Sequence, residues 1–228
     1  MAFLVFVEFC VYGALQKLLY CVPAPLNAAL TVYGDIMVIK RKNALIHWNY
    51  FLALEEDLER LARFVDFSGN DKTYSLEIAR LLLGASSEVD VVLKEICQKI
   101  NPQTTASKIN EYEAEISNAL PNFTKFEVTI PKHELTFQPW VNWNSNTSPY
   151  WWRAHNKVKH NRNTHFDHAT LKNCLNAVGA LYVAVLHLYE NEAKNGELMQ
   201  LPRLFNVSDA HFGGASMGRY GNSFRYKF

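Results

Sequence analysis

The chain has no C-x-x-C pair. Its four cysteines, Cys10, Cys21, Cys97 and Cys174, are scattered over 228 residues. That spacing argues against a disulfide scaffold or a structural zinc knuckle and fits a reducing, cytoplasmic compartment. An excess of one charge is also missing: 23 Lys and Arg against 22 Asp and Glu leave a formal net charge of +1. No global field draws the chain to nucleic acid or membrane, so any basic surface has to be local. No Gly-rich phosphate loop follows a strand, which leaves nucleotide hydrolysis of the P-loop kind without support. No internal repeat is found. What is present is an ordinary globular composition, 49% hydrophobic and 20% charged. It excludes wholesale disorder, collagen and a coiled-coil rod. A chain of this length can bury a sizeable core without staples.

The most apolar stretch is residues 2–22, AFLVFVEFCVYGALQKLLYCV, but Glu8, Gln16 and Lys17 interrupt it. A span needs about 20 mostly apolar residues, and a charge in mid-membrane costs at least ~2.5 kcal/mol. No positive charge precedes Phe3, as a signal peptide would want. Three readings stay open: a buried helix or strand, a membrane-surface or weakly spanning segment, and a cleaved signal. Any membrane contact is expected only here. Residues 1–43 form an N-terminal segment to which the sequence assigns no role.

Regular structure begins near Ala44. Phe51, Leu54, Leu58, Leu61 and Val65 recur at three and four, which places an apolar stripe on a helix over about 45–66. Glu55, Glu56, Asp57 and Glu59 are expected on its outer faces. Ile78, Leu82, Ala85, Val89, Val92 and Ile96 mark a second helix, over about 74–100, stopped by Asn101-Pro102. The pair reads as an αα-hairpin, and residues 51–95 are acidic, with ten acids and five bases. A shorter helix is expected over about 106–120. Alternation of Phe126, Val128 and Ile130 with Glu127 and Thr129 then predicts a strand, returned through Pro131-Lys132-His133 by the strand ELTF. Ser148 and Pro149 suit a helix start, and a last long helix is expected over about 166–193. Residues 194–228 read as a loose tail. The expected fold is mainly α: a helical bundle built on two αα-hairpins with a small inserted β-hairpin at about 124–138, the domain covering 44–193.

The chemically informative segment is WWRAHNKVKHNRNTHFDH, residues 151–168. It sets Arg153, Lys157, Lys159 and Arg162 against Asp167 and holds four of the eight histidines: His155, His160, His165 and His168. Basic, aromatic and imidazole groups together suit a phosphate backbone with stackable bases. The alternative is a solvated helix face whose tryptophans anchor it to the core. Arg153, Asn156, Lys157 and His160, separated by three, one and three, share one helix face. Arg153 and His160 then lie roughly 10 Å apart along the axis at ~1.5 Å per residue. An arginine fork holds phosphate oxygens, histidine exchanges a proton near neutral pH, and an asparagine orients. That set suffices, without metal or cofactor, for RNA cleavage through the 2′-hydroxyl, a nucleophile DNA lacks. No metal site is expected. His155, His160 and His165 are five apart, which turns successive side chains away from one another by about 140°. Cys97 and Cys174, on helices with apolar surroundings, are expected to be inert.

A helical hairpin, an inserted element and a basic Arg…His segment leading into a long final helix resemble a HEPN domain, over roughly residues 44–193. The resemblance implies metal-independent RNA cleavage by a homodimer that joins two copies of the motif. It also implies a place in toxin–antitoxin, phage-defence or RNA-processing systems, with an antitoxin or regulatory protein as a further partner. Carried onto this chain, it assigns catalysis to His160, Arg153 and Asn156, and RNA binding to Lys157, Lys159, Arg162 and His155. Ala154 stands where the family usually has a polar residue after the arginine. Two other registers, Arg162-Asn163 to His168 and His155-Asn156 to His160, stay open. The alternative function is a non-catalytic RNA- or protein-binding module of the same fold.

Overall fold

The computed structural model describes residues 44–144, 146–198, 200–207, 218–220 and 223–226. The readings made for residues 2–22, and for most of the segment 208–228, lie outside them. Leu45–Phe228 forms one unit, separate from Met1–Ala44.

Six helices are present among the described residues: α1 (Ile46–Leu61), α2 (Leu76–Ile100), α3 (Ile109–Ala119), α4 (Tyr150–His165), α5 (Leu171–Leu188) and the short α6 (Glu190–Asn195). The fold is mainly helical, as the periodicities require. Ser75 caps α2 by accepting the amide of Ile78 at 3.1 Å. Thr170 caps α5 in the same way, from Asn173 at 3.3 Å. The stripe read on α2 is buried throughout, and that on α1 is buried from Phe51 to Leu61. The first helix ends five residues sooner than expected. Its chain then turns, leaving Phe64 85% exposed and Phe67 buried, with Gly69 in the left-handed region at φ 74.

The centre is α5. Its sequence, LKNCLNAVGALYVAVLHL, is apolar almost all round rather than on one stripe, and every residue but Lys172 and Asn173 is buried. It is long and apolar enough to cross a membrane, yet 83% of that window is buried inside this fold. It packs against α2 along its length and also against α1 and α4. Cys174 lies fully inside it. Burial pushes the Cys174 thiol up, and pushes that of Cys97 up to about 12.

The inserted hairpin forms where the alternation placed it. β1 (Val128–Ile130) pairs antiparallel with β2 (Leu135–Phe137), Thr129 opposite Thr136. A third strand was not anticipated: β3 (Asn206–Val207) pairs with the other edge of β1, Val128 opposite Val207. The sheet lies on α5 at Gly179, where an added Cβ would stand 2.7 Å from Phe137 Cε2. Residues of the tail thus contribute to the core, through Leu198, Leu204, Phe205 and Tyr226. A second antiparallel pair, β4 (Gly218–Tyr220) and β5 (Ser223–Arg225), precedes Tyr226.

Glu55 corrects the expectation of an outward acidic face on α1. It is 3% exposed and accepts the amides of Arg203, Leu204 and Phe205 at 3.0, 2.8 and 2.8 Å. An isolated carboxylate is costly to bury, but one that gathers three backbone N–H groups pins a returning chain.

Candidate nucleic-acid interface

The basic segment forms α4. Trp151, Trp152, Ala154, His155 and Val158 make its inner face. Three indoles are anchored by their N–H groups: Trp140 to the Ala180 carbonyl at 3.2 Å, Trp143 to Ile109 at 3.2 Å and Trp151 to Pro139 at 2.7 Å. These rings are core anchors rather than stacking platforms for bases. Arg153, Asn156, Lys157, Lys159, His160 and Arg162 are exposed. Helical backbone runs unbroken from Tyr150 to His160 and is interrupted at Asn161, with φ −139 and ψ 48. Arg153, Asn156, Lys157 and His160 therefore do share one face, and all precede the kink. Arg162 lies beyond it, so helical spacing does not relate it to the other four.

The side chains divide this face. Arg153 donates from Nη1 to the Ser148 carbonyl, folding back over the first turn. His160 lies seven residues in the opposite direction, so the guanidinium and that imidazole are not brought together in this chain. A different pair does meet across the kink. Lys157 Nζ lies 3.3 Å from His168 Nε2, the ammonium donating to the ring nitrogen. The His168 ring stacks on that of His165, centroids 5.5 Å apart and planes 24° apart, and Thr164 bonds His165 Nδ1 at 2.8 Å. The kink folds the histidine-rich end back beside Lys157, an arrangement that helical spacing does not reveal.

His155, expected on the RNA surface, points inward. Its position falls on the Trp151–Trp152–Val158 face, and it is 3% exposed. Burial, reinforced by the charges of Lys159 and His160, holds its imidazole down to about 4. It lines a cleft of about 180 Å³ between α2 and α4. Ser86, Ser87 and Asp90 stand on the α2 side, with Trp152, Asn156 and Lys159 beside His155 on the α4 side. Both ring nitrogens of His155 and the hydroxyl of Ser86 are buried without a hydrogen-bond partner among the described residues. Burial raises the Asp90 carboxyl above the usual range, against a hydrogen bond from Tyr112 and the charges of Lys159 and Lys94. The sequence reading missed Ser86, Asp90 and Trp152 as a group. The available signal was the three-residue step from Trp152 to His155 to Val158, which marks an inward histidine.

No family model matches this chain, and no curated protein or solved structure matches it. Among the described residues, no three His, Cys, Asp or Glu side chains converge as metal ligands.

Proposed function

We propose that this chain is a HEPN-like, metal-independent RNA endonuclease built on two αα-hairpins and acting as a homodimer. The observation that supports it is the unbroken Tyr150–His160 helix, which presents Arg153, Asn156, Lys157 and His160 on one exposed face. His160 takes the proton from a ribose 2′-hydroxyl. The 2′-oxygen attacks the adjacent phosphorus, the bond to the 5′-oxygen breaks to leave a 2′,3′-cyclic phosphate, and the departing oxygen takes a proton from water while the imidazolium returns its own to solvent. Arg153 leaves the Ser148 carbonyl to neutralise the phosphorane, and Asn156 orients the phosphate. Lys157, Lys159 and Arg162 hold the flanking backbone. The cytoplasm, and an antitoxin or other regulatory protein as partner, belong to the same reading.

A second reading is favoured by one specific observation. The Arg153 guanidinium is already engaged by Ser148 and does not face His160, which suits an RNA-binding module without cleavage. Labelled RNA incubated with the full chain in EDTA separates the two. Cleavage is expected, falling at least ~100-fold in His160→Ala and in Arg153→Ala, the lower end for loss of an acid–base group and of a group that stabilises transition-state charge. Cutting retained by both variants overturns the site. Salt-sensitive binding without cutting establishes the second reading.

A further inference from the structure

The cleft between α2 and α4 stands beside the exposed face but is chemically unlike it. Its floor holds two groups that a purely structural seam would not keep. His155 is 3% exposed and Ser86 fully buried, and among the described residues neither the ring nitrogens nor the hydroxyl has a hydrogen-bond partner. Polar atoms buried this way are rare, and each calls for a ligand, a water or a functional reason. The rim is open at Ser87, Asn156 and Lys159, which are exposed. Asn156 belongs to both surfaces, lining the cleft and standing on the face that carries Arg153 and Lys157.

The lining discriminates among ligands. A phosphate is disfavoured by the Asp90 carboxylate. The volume, about 180 Å³, falls below the ~300–1,000 Å³ of drug-sized pockets. It suits one planar ring system. Trp152, tilted 54° to His155 with centroids 5.3 Å apart, gives an aromatic wall. Around it stand a carboxylate, an amide, two hydroxyls, an ammonium and a neutral imidazole with one donor and one acceptor. That mixture reads the edge of a base. Guanine fits best. Its N1–H and N2 amino group are adjacent donors for Asp90, and its O6 and N7 accept from Lys159. Adenine would turn a ring-nitrogen lone pair toward the carboxylate.

We propose that this cleft takes one unstacked nucleobase, with guanine preferred, from the RNA strand lying on α4. The inference rests on the RNA-binding reading above and adds base selection to it. Its test uses 2′-O-methyl RNA, which binds but has no nucleophile. The affinity of the full chain is measured by fluorescence anisotropy for oligouridine and for the same strand carrying one central guanine, adenine or cytosine. The guanine strand is expected to bind about tenfold more tightly than oligouridine, the lower end for one base readout. Asp90→Asn, which turns an amide toward the base's N1–H and N2, and His155→Leu, which removes the imidazole lining the cleft, are expected to erase that preference. A urea unfolding midpoint at or above wild type for His155→Leu shows that the loss is not misfolding.

A second arm titrates free guanosine into protein labelled at histidine nitrogen, with the His155 signals identified by their loss in His155→Leu. Strands that bind without base preference, or a preference kept by both variants, overturn the cleft and leave the RNA face standing. Shifted His155 signals with no RNA binding remove the RNA face and keep the cleft as a nucleobase site. Silence in both arms means a water-filled cleft only, and overturns the proposal.

Discussion

Two buried histidines make the stability of this fold depend on pH in a way that can be worked out in advance. His155 and His187 are 3% and 7% exposed, and burial holds each imidazole down to about 4. In the unfolded chain each titrates near 6.5. Between those values the unfolded chain binds the extra protons and the folded chain does not, so acid favours unfolding. The stability each neutral ring supports is present above about pH 6.5 and is lost progressively as pH falls toward 4. The limiting slope is about 1.4 kcal/mol per pH unit for each histidine, and the full loss is about 3 kcal/mol for each. Between pH 7 and pH 5 the loss is about 2 kcal/mol per ring. Set against a typical stability of 5–15 kcal/mol, the two together are measurable.

Glu55 and Asp90 act in the opposite sense, because burial raises their carboxyls. The prediction therefore concerns a difference between proteins. Urea unfolding at constant ionic strength, from pH 7 to pH 5 and without RNA, compares wild type with His187→Leu and His155→Leu. Each variant should lose its own share of the slope, and the double variant both, whatever its absolute stability. Variants that keep the wild-type slope would show that burial is not what holds these rings neutral, and would refute the reasoning.

Glu55→Ala leaves the amides of Arg203, Leu204 and Phe205 without their acceptor. The expected cost is on the order of 3 kcal/mol or more, at ~1–3 kcal/mol per stranded buried group. Hydrogen exchange should quicken at those three amides, and unchanged exchange there would refute the pinning role. Gly179→Ala sets helix preference, worth ~1 kcal/mol, against a contact of 2.7 Å with Phe137. Overpacking costs ~1–3 kcal/mol, so a net loss near 1 kcal/mol is expected in denaturant midpoints. Phe137→Leu in the same chain should restore most of it, and a Gly179→Ala variant more stable than wild type would refute the clash.

The helices on either side of the first turn and the β1–β2 hairpin were legible because burial repeats at fixed periods, whereas the last helix, expected over 166–193, is divided into α5 (Leu171–Leu188) and α6 (Glu190–Asn195). Ile78 through Ile96 and Phe51 through Leu61 wrote their faces into the spacing. The third strand was not legible: Asn206-Val207 is too short to carry a period, and its partner lies almost eighty residues upstream. Glu55 was misplaced for a related reason. An acid among acids reads as solvated, and only the return of residues 203–205 gives its carboxylate three donors. At the site, the shared face of Arg153, Asn156, Lys157 and His160 followed from helical geometry alone. The Asn161 kink did not, because nothing about an isolated asparagine fixes its backbone at φ −139. Nor did the direction of Arg153, which rests on where the Ser148 carbonyl happens to point.

His155 and His187 share a depressed pKa but differ in what surrounds their nitrogens, and that difference carries the functional argument. His187 Nδ1 donates to the Val183 carbonyl at 2.8 Å, one turn back on its own helix, and Phe123 and Phe126 flank the ring at 4.7 and 4.6 Å. Such a ring fills space and satisfies a donor, so structure alone accounts for it. His155 has Trp152 beside it and, among the described residues, no hydrogen-bond partner for either nitrogen. A leucine there would pack the seam without stranding a polar atom, at a gain of ~1–3 kcal/mol by the usual cost of an unsatisfied buried group. Ser86, directly across the same cleft, poses the same problem on the facing helix. Two independent helices place uncompensated polar atoms against one small space, next to an asparagine that also stands on the basic face. Packing explains neither residue, whereas a guest in the cleft, a base or a water, supplies the missing hydrogen bonds of both.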